Sequence, residues 1–81
     1  MKFNINIEVK LKEGLLNPEA NTIQRSLNLI GYKNVSGFDT ERVFSMEIDS
    51  ESKDKAVKQA DEMCRRILTN PVIEDYNISV V

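Results

Sequence analysis

From Phe3 to Leu11 apolar and polar residues alternate without a break: Phe3, Ile5, Ile7, Val9 and Leu11 fall on one side, Asn4, Asn6, Glu8 and Lys10 on the other. A period of two sustained this long predicts a β-strand with one dry face and one wet face. Such a strand needs partner strands and a cover for its dry face, and the rest of the chain must provide them.

Lys12-Glu13-Gly14 closes the strand, and Asn17-Pro18-Glu19 opens a helix. An Asn side chain accepts from the first free amides of a helix, Pro suits the first helical position, and Glu favours the positive end of the helix dipole. Leu16, Ala20, Ile23, Leu27 and Ile30 follow at three- and four-residue spacing, an apolar stripe expected to face a sheet, with Gly31 at the stop. Tyr32 to Thr40 holds Val35 and Phe38 among Asn, Ser and Gly and reads as a short, weak strand and a turn. Arg42 to Asp49 restores the alternation, with Phe44, Met46 and Ile48 inward. A second helix carries Ala56, Val57, Ala60, Met63, Cys64, Ile67 and Leu68 on one side; Asp54/Lys58, Lys58/Glu62, Asp61/Arg65 and Glu62/Arg66 stand at four-residue separation on the other. Asn70-Pro71 stops it, with Asn70 expected in the left-handed region, and Tyr76, Ile78 and Val80 alternate in a last strand.

The order β-α-β-β-α-β predicts a ferredoxin-like α+β two-layer sandwich: a single domain over residues 1–81, with one antiparallel sheet and both helices on one face. The first and third strands, longest and cleanest, are expected at the centre, the weak second strand and the last strand at the edges.

Composition narrows the chemistry. One Cys and no His exclude an internal disulfide and disfavour a metal site, and near-neutral acid–base catalysis would need a strongly shifted side chain. Thirteen acidic against 11 basic residues, with no basic block, argue against nucleic acid. No apolar run approaches the ~20 residues of a membrane span or forms a leader, so the expectation is a cytoplasmic chain. A core this small rarely supplies more than about 3–5 kcal/mol, so partner subunits are the expected source of further stability.

Individual residues read plainly. Cys64 lies on the apolar stripe and fits a small buried hydrophobe. The charged helix face is explained by solvated intrahelical pairs, and Lys12-Glu13-Gly14 with Asn17-Pro18 by turn and cap chemistry, there being too few glycines for a phosphate loop. Glu74 and Asp75 are strand neighbours that point to opposite faces and so do not form a catalytic pair.

The run Leu68-Thr69-Asn70-Pro71-Val72-Ile73-Glu74-Asp75-Tyr76 is more specific than edge protection requires, and it resembles the Asn-Pro-Val-Ile-Glu-Asp-Tyr run of PurS, the small subunit of phosphoribosylformylglycinamidine synthase. Val9 to Glu19 is similar to that family's Leu-Lys-x-Gly-Val-Leu-Asp-Pro, and Ser26 to Tyr32 to its Ala-Leu-x-x-Leu-Gly. Asn17 stands where the family usually has Asp, and Ala20 where it often has Gly. The resemblance implies a structural subunit in purine synthesis, with no catalytic residue and no cofactor of its own. ATP and magnesium would belong to a large synthetase subunit, and ammonia would come from a glutaminase subunit. This chain would join the two and associate with itself. The residues it marks as subunit-interface candidates are Lys12, Gly14, Asn17, Pro18, Asn70, Pro71, Glu74, Asp75 and Tyr76. The alternative is an ACT-like module that binds a small regulatory molecule, which shares the element order. An acylphosphatase-like hydrolase would need an Arg in the loop after the first strand, and an RNA-binding sheet would need aromatic residues on its outer face.

Overall fold

A computed structural model describes the whole chain, Met1–Val81. Strand β1 (Lys2–Leu11), helix α1 (Pro18–Leu29), strand β2 (Arg42–Asp49), helix α2 (Lys53–Met63) and strand β3 (Glu74–Val80) follow in order. The strands form one antiparallel sheet, β2-β1-β3, in which Ile5 stands opposite Met46 and Val80 and Ile7 opposite Phe44 and Ile78. The alternation read from the sequence fixes this register, because a slip of one residue would turn every apolar side chain of β1 into water. The architecture is the expected ferredoxin-like α+β fold.

Only α2 covers the sheet. Its small residues Ala56, Ala60 and Cys64 are fully buried against Ile5, Ile7 and Val9, which lets helix and sheet approach closely. Ser52 caps its start, Oγ accepting from the Lys55 amide at 3.2 Å. Beyond Met63 the helix widens into one π turn, Cys64–Leu68. Its end is set where the Thr69 amide and hydroxyl both donate to the Cys64 carbonyl, at 3.0 and 2.9 Å. This turn directs Ile67 into solvent while Leu68 packs on the core. Of the four charge pairs expected on α2, Asp61 and Arg65 close, at 3.0 Å; at the other end Lys55 instead reaches back to Glu51.

Three expectations need correction. Residues 32–40 form turns, not a strand. Gly37 has φ of 64°, and the segment's polar groups bond to α1: the Phe38 amide donates to Gln24 Oε1 at 3.1 Å, and Asn28 Nδ2 donates to the carbonyls of Tyr32 and Val35. Without that fourth strand, β2 is an edge and not a central strand. The stripe of α1 does not cover its own sheet either: Ala20 is buried, but Leu16 is 75% exposed and Ile30 72%. Apolar spacing says that a helix face will be covered, not which surface covers it. Helix α1 and its strap of turns thus project as an arm. The chain measures 52 × 25 × 15 Å, with a radius of gyration of 16.3 Å, where a compact domain of this length would have about 12 Å.

Candidate subunit interface

Two loops meet at the end of the sheet where β1 finishes and β3 begins. In the first, the Leu15 amide donates to the Lys12 carbonyl at 3.2 Å, a turn that runs through Gly14 at φ 87°. A side chain at this φ would strain the backbone even though a Cβ there would meet nothing. In the second, the amides of Ile73 and Glu74 both donate to the Asn70 carbonyl, and Asn70 Oδ1 accepts from the Val72 amide at 3.2 Å. No residue other than glycine has a positive φ, so Asn70 is not left-handed as expected. It ends the helix by gathering amides instead. Its neighbour Pro71 has no amide to leave unpaired in this tight turn.

The loops are tied together. The Lys12 amide donates to the Ile73 carbonyl at 2.9 Å, and Lys12 Nζ lies 3.6 Å from Asp75 Oδ1. Glu74 and Asp75 point to opposite faces, as neighbours on a strand must. The Glu74 side chain is 13% exposed on the inner side, and that of Asp75 is 65% exposed on the outer. The Glu74 carboxylate accepts from the Asn70 amide at 2.8 Å and from Arg42 Nη2 at 2.9 Å. The amide first, and then the guanidinium, hold this carboxyl below its usual range against the opposing effect of burial. Arg42 also lies over the Phe44 ring, 5.8 Å from its centroid.

At the base of the arm, Asn17 Oδ1 accepts from the Ala20 amide at 3.1 Å, and its Nδ2 donates to Asp39 Oδ1 at 2.9 Å and Thr40 Oγ at 3.0 Å. Pro18 occupies the first helical turn. A hollow lined by Asn17, Glu19, Thr40, Arg42 and Glu74 joins this cap to the ion pair, and a second, lined by Lys12, Gly14, Asn17, Asp39 and Asp75, lies between the loops.

The structure therefore brings Lys12, Gly14, Asn17, Pro18, Asn70, Pro71, Glu74 and Asp75 to one end of the molecule. Tyr76 stands apart: it faces α2 and donates its hydroxyl to Asp61, and that bond, followed by burial, pushes its pKa up. Burial, with Asp61 nearby, pushes the Cys64 thiol up as well, away from the reactive thiolate. The carboxylates of Asp39, Glu74 and Asp75 each accept a hydrogen bond or pair with a cation, so the geometry holds two loops in fixed conformations. Sequence reasoning missed Arg42, Asp39 and Thr40 as partners, and Asp61 as the partner of Tyr76. Parity supplied a signal for the first: Arg42 shares the inward side with Phe44, as Glu74 does with Tyr76, which sets one cation and one anion in otherwise apolar rows.

Comparison with known proteins covers nearly the whole chain. Residues 4–81 match the family described as PurS: phosphoribosylformylglycinamidine (FGAM) synthase. The chain is 44% identical over 80 residues to the phosphoribosylformylglycinamidine synthase subunit PurS of Methanothermobacter thermautotrophicus, covering 99% of this chain and 94% of that protein. It superposes on the crystal structure of Methanocaldococcus jannaschii PurS with a TM-score of 0.89 at 42% identity, over 98% of this chain and 95% of that one. A chain in the structure of PurLQS from Thermotoga maritima gives a TM-score of 0.93 at 26% identity, covering 100% and 99%.

Proposed function

Because this chain belongs to the PurS family, the subunits of phosphoribosylformylglycinamidine synthase in purine biosynthesis, we propose that it is the structural member of that ligase, bridging the large ATP-dependent synthetase subunit and the glutaminase subunit. In this reading ATP and magnesium are held by the large subunit, the complex is cytoplasmic, and this chain associates with itself. Its loops at residues 12–18 and 70–75 form the surface that meets the other subunits.

The observation that carries the reading is the end-on cluster itself. Its backbone and carboxylates are committed to holding two loops in place, through Lys12–Ile73, Arg42–Glu74 and Asn17–Asp39, and a pre-set loop loses little conformational entropy when a partner docks on it. Full-length likeness to a chain in PurLQS supports the same reading. Ammonia passing between two active sites must be kept from bulk water, where it is protonated and lost as a nucleophile. A subunit that aligns those sites raises flux without making or breaking a bond.

Reconstitution of the synthase with and without this chain tests the proposal. Omission should abolish glutamine-dependent turnover while activity on added ammonium salt persists. Undiminished glutamine-dependent turnover without the chain would overturn the bridging role.

A further inference from the structure

We infer that strand β3 receives an extended segment of another synthase subunit along its free edge, which makes that segment a fourth strand of the sheet. This deepens the subunit-docking surface of the proposed function and rests on that reading. Its first support is the backbone. The Lys12 amide donates to the Ile73 carbonyl and the Val81 amide to the Asn4 carbonyl, each at 2.9 Å. In an antiparallel ladder such pairs recur at every second residue, so Asp75, Asn77 and Ser79 also turn their amides and carbonyls toward β1. The amides and carbonyls of Tyr76, Ile78 and Val80 therefore point the other way, where β3 has no neighbour. These groups form a ready template for an incoming strand.

The second support is how little guards this edge. On β2 the Ser50 amide donates to the Met1 carbonyl, so Val43, Ser45, Glu47 and Asp49 turn their backbone groups outward there, and charge stands along that strand at Arg42, Glu47 and Asp49. From Tyr76 to Val81 the chain has no charged side chain, no Pro and no Gly. Such a composition invites pairing unless something covers it. The side chains state the chemistry of the occupant. Tyr76, Ile78 and Val80 are half-buried on the α2 side, so a neighbouring strand must set apolar residues beside them at alternate positions. Asp75 is exposed and Lys12 Nζ, at 3.6 Å, is outside hydrogen-bond reach, so the neighbour completes this carboxylate with a Lys or Arg. Residues 74–81 contain neither, and the β3 of a second copy could not supply it. Strand β3 also continues directly from the Asn70–Asp75 loop, so that loop and edge present one surface to the same partner.

Amide hydrogen exchange on the full-length chain, free and in the reconstituted synthase, tests this. In the free chain the amides of Tyr76, Ile78 and Val80 should exchange fast while those of Asp75, Asn77 and Ser79 are protected by β1. In the complex the first three should slow at least about 100-fold. Fast exchange of these amides in an assembled complex overturns strand addition and leaves the bridging role standing, whereas failure of the chain to co-sediment with the other subunits overturns both. Slow exchange already in the free chain would mean that the edge is filled without a partner subunit, by a second copy, and overturns the inference too. A backbone variant gives a second readout. The one cysteine, Cys64, allows a synthetic segment 64–81 to be ligated to residues 1–63. N-methylation at Ile78 then removes an outward donor and leaves the bonds to β1 in place. The methylated chain should keep the dichroism and melting temperature of a ligated, unmethylated control, while the concentration giving half-maximal glutamine-dependent turnover rises at least about 10-fold. An unchanged concentration overturns the inference.

Discussion

Asn17→Asp separates local helix chemistry from the tertiary structure of this chain. Considered as a helix start alone, the change is neutral or favourable. Asp caps as well as Asn, and its charge at the positive end of the dipole is worth about 0.3–1 kcal/mol. The structure reverses that expectation, because Asn17 Nδ2 donates to Asp39 Oδ1 at 2.9 Å. The substitution deletes a donor to an ionised acceptor, which costs about 1–1.5 kcal/mol at an exposed site. It also sets two carboxylates within about 3–4 Å, a repulsion of about 1 kcal/mol at the dielectric constant of water. The Thr40 hydroxyl, 3.0 Å away, can turn and donate to the new carboxylate, so that contact survives. Set against the dipole gain, the net destabilisation is about 1.5 kcal/mol, or a melting temperature lower by roughly 6–12 °C for a domain of this size. Scanning calorimetry at pH 7, low salt and fixed chain concentration measures it. Asp39→Asn in the same chain should restore part of the loss by removing the repulsion between the two carboxylates, while its side-chain oxygen still accepts from the Thr40 amide. A melting temperature for Asn17→Asp equal to or above wild type would refute the assignment of this contact and of the arm's anchored base.

Two further substitutions probe the cluster and the core. The folded pKa of Glu74 is lowered, so its contribution is present above the unfolded carboxyl value and is lost as pH falls through the folded one. Glu74→Gln should cost about 1 kcal/mol at pH 7 and progressively less as pH falls below the unfolded carboxyl value toward the folded one, seen as a urea midpoint gap between variant and wild type that narrows on acidification; a gap that does not narrow would contradict this. The folded pKa of Tyr76 is raised, so its contribution is complete below the unfolded phenol value and disappears as pH rises through the folded one. Tyr76→Phe should lower stability by about 1 kcal/mol at neutral pH and should flatten the loss of stability above about pH 10. An alkaline limb identical to wild type would remove Tyr76 from it.

Strand β1, the cap at Asn17, the small-residue face of α2 and the alternation in β2 were all legible, because each follows from spacing within a short segment. What escaped depends on distant partners. Val35 and Phe38 have the composition of a weak strand, yet their segment lies on α1, where Gln24 and Asn28 bond its backbone. Nothing local to Leu16, Ile23 and Ile30 distinguishes a stripe that covers the sheet from one left exposed. In the candidate site, the loop signatures flagged both turns, whereas Arg42 and Asp39 emerged only once β2 and the strap had been set beside Glu74 and Asn17. The spacing of Asp61 and Arg65 predicted their pairing, but the Tyr76 bond to the same carboxylate spans elements that only the fold brings together.

The five-residue π turn Cys64–Leu68, closed by the Thr69 amide on the Cys64 carbonyl, acts as a phase shifter. By taking up one more residue than an α turn, it shifts the phase of the residues that lead into the Asn70–Asp75 loop, leaving Ile67 in solvent while the buried row Ala56–Ala60–Cys64 keeps its seat. The end of the molecule that carries the two loops can therefore be re-aimed by changes in length within this one turn, with the sheet and its helix left as they are.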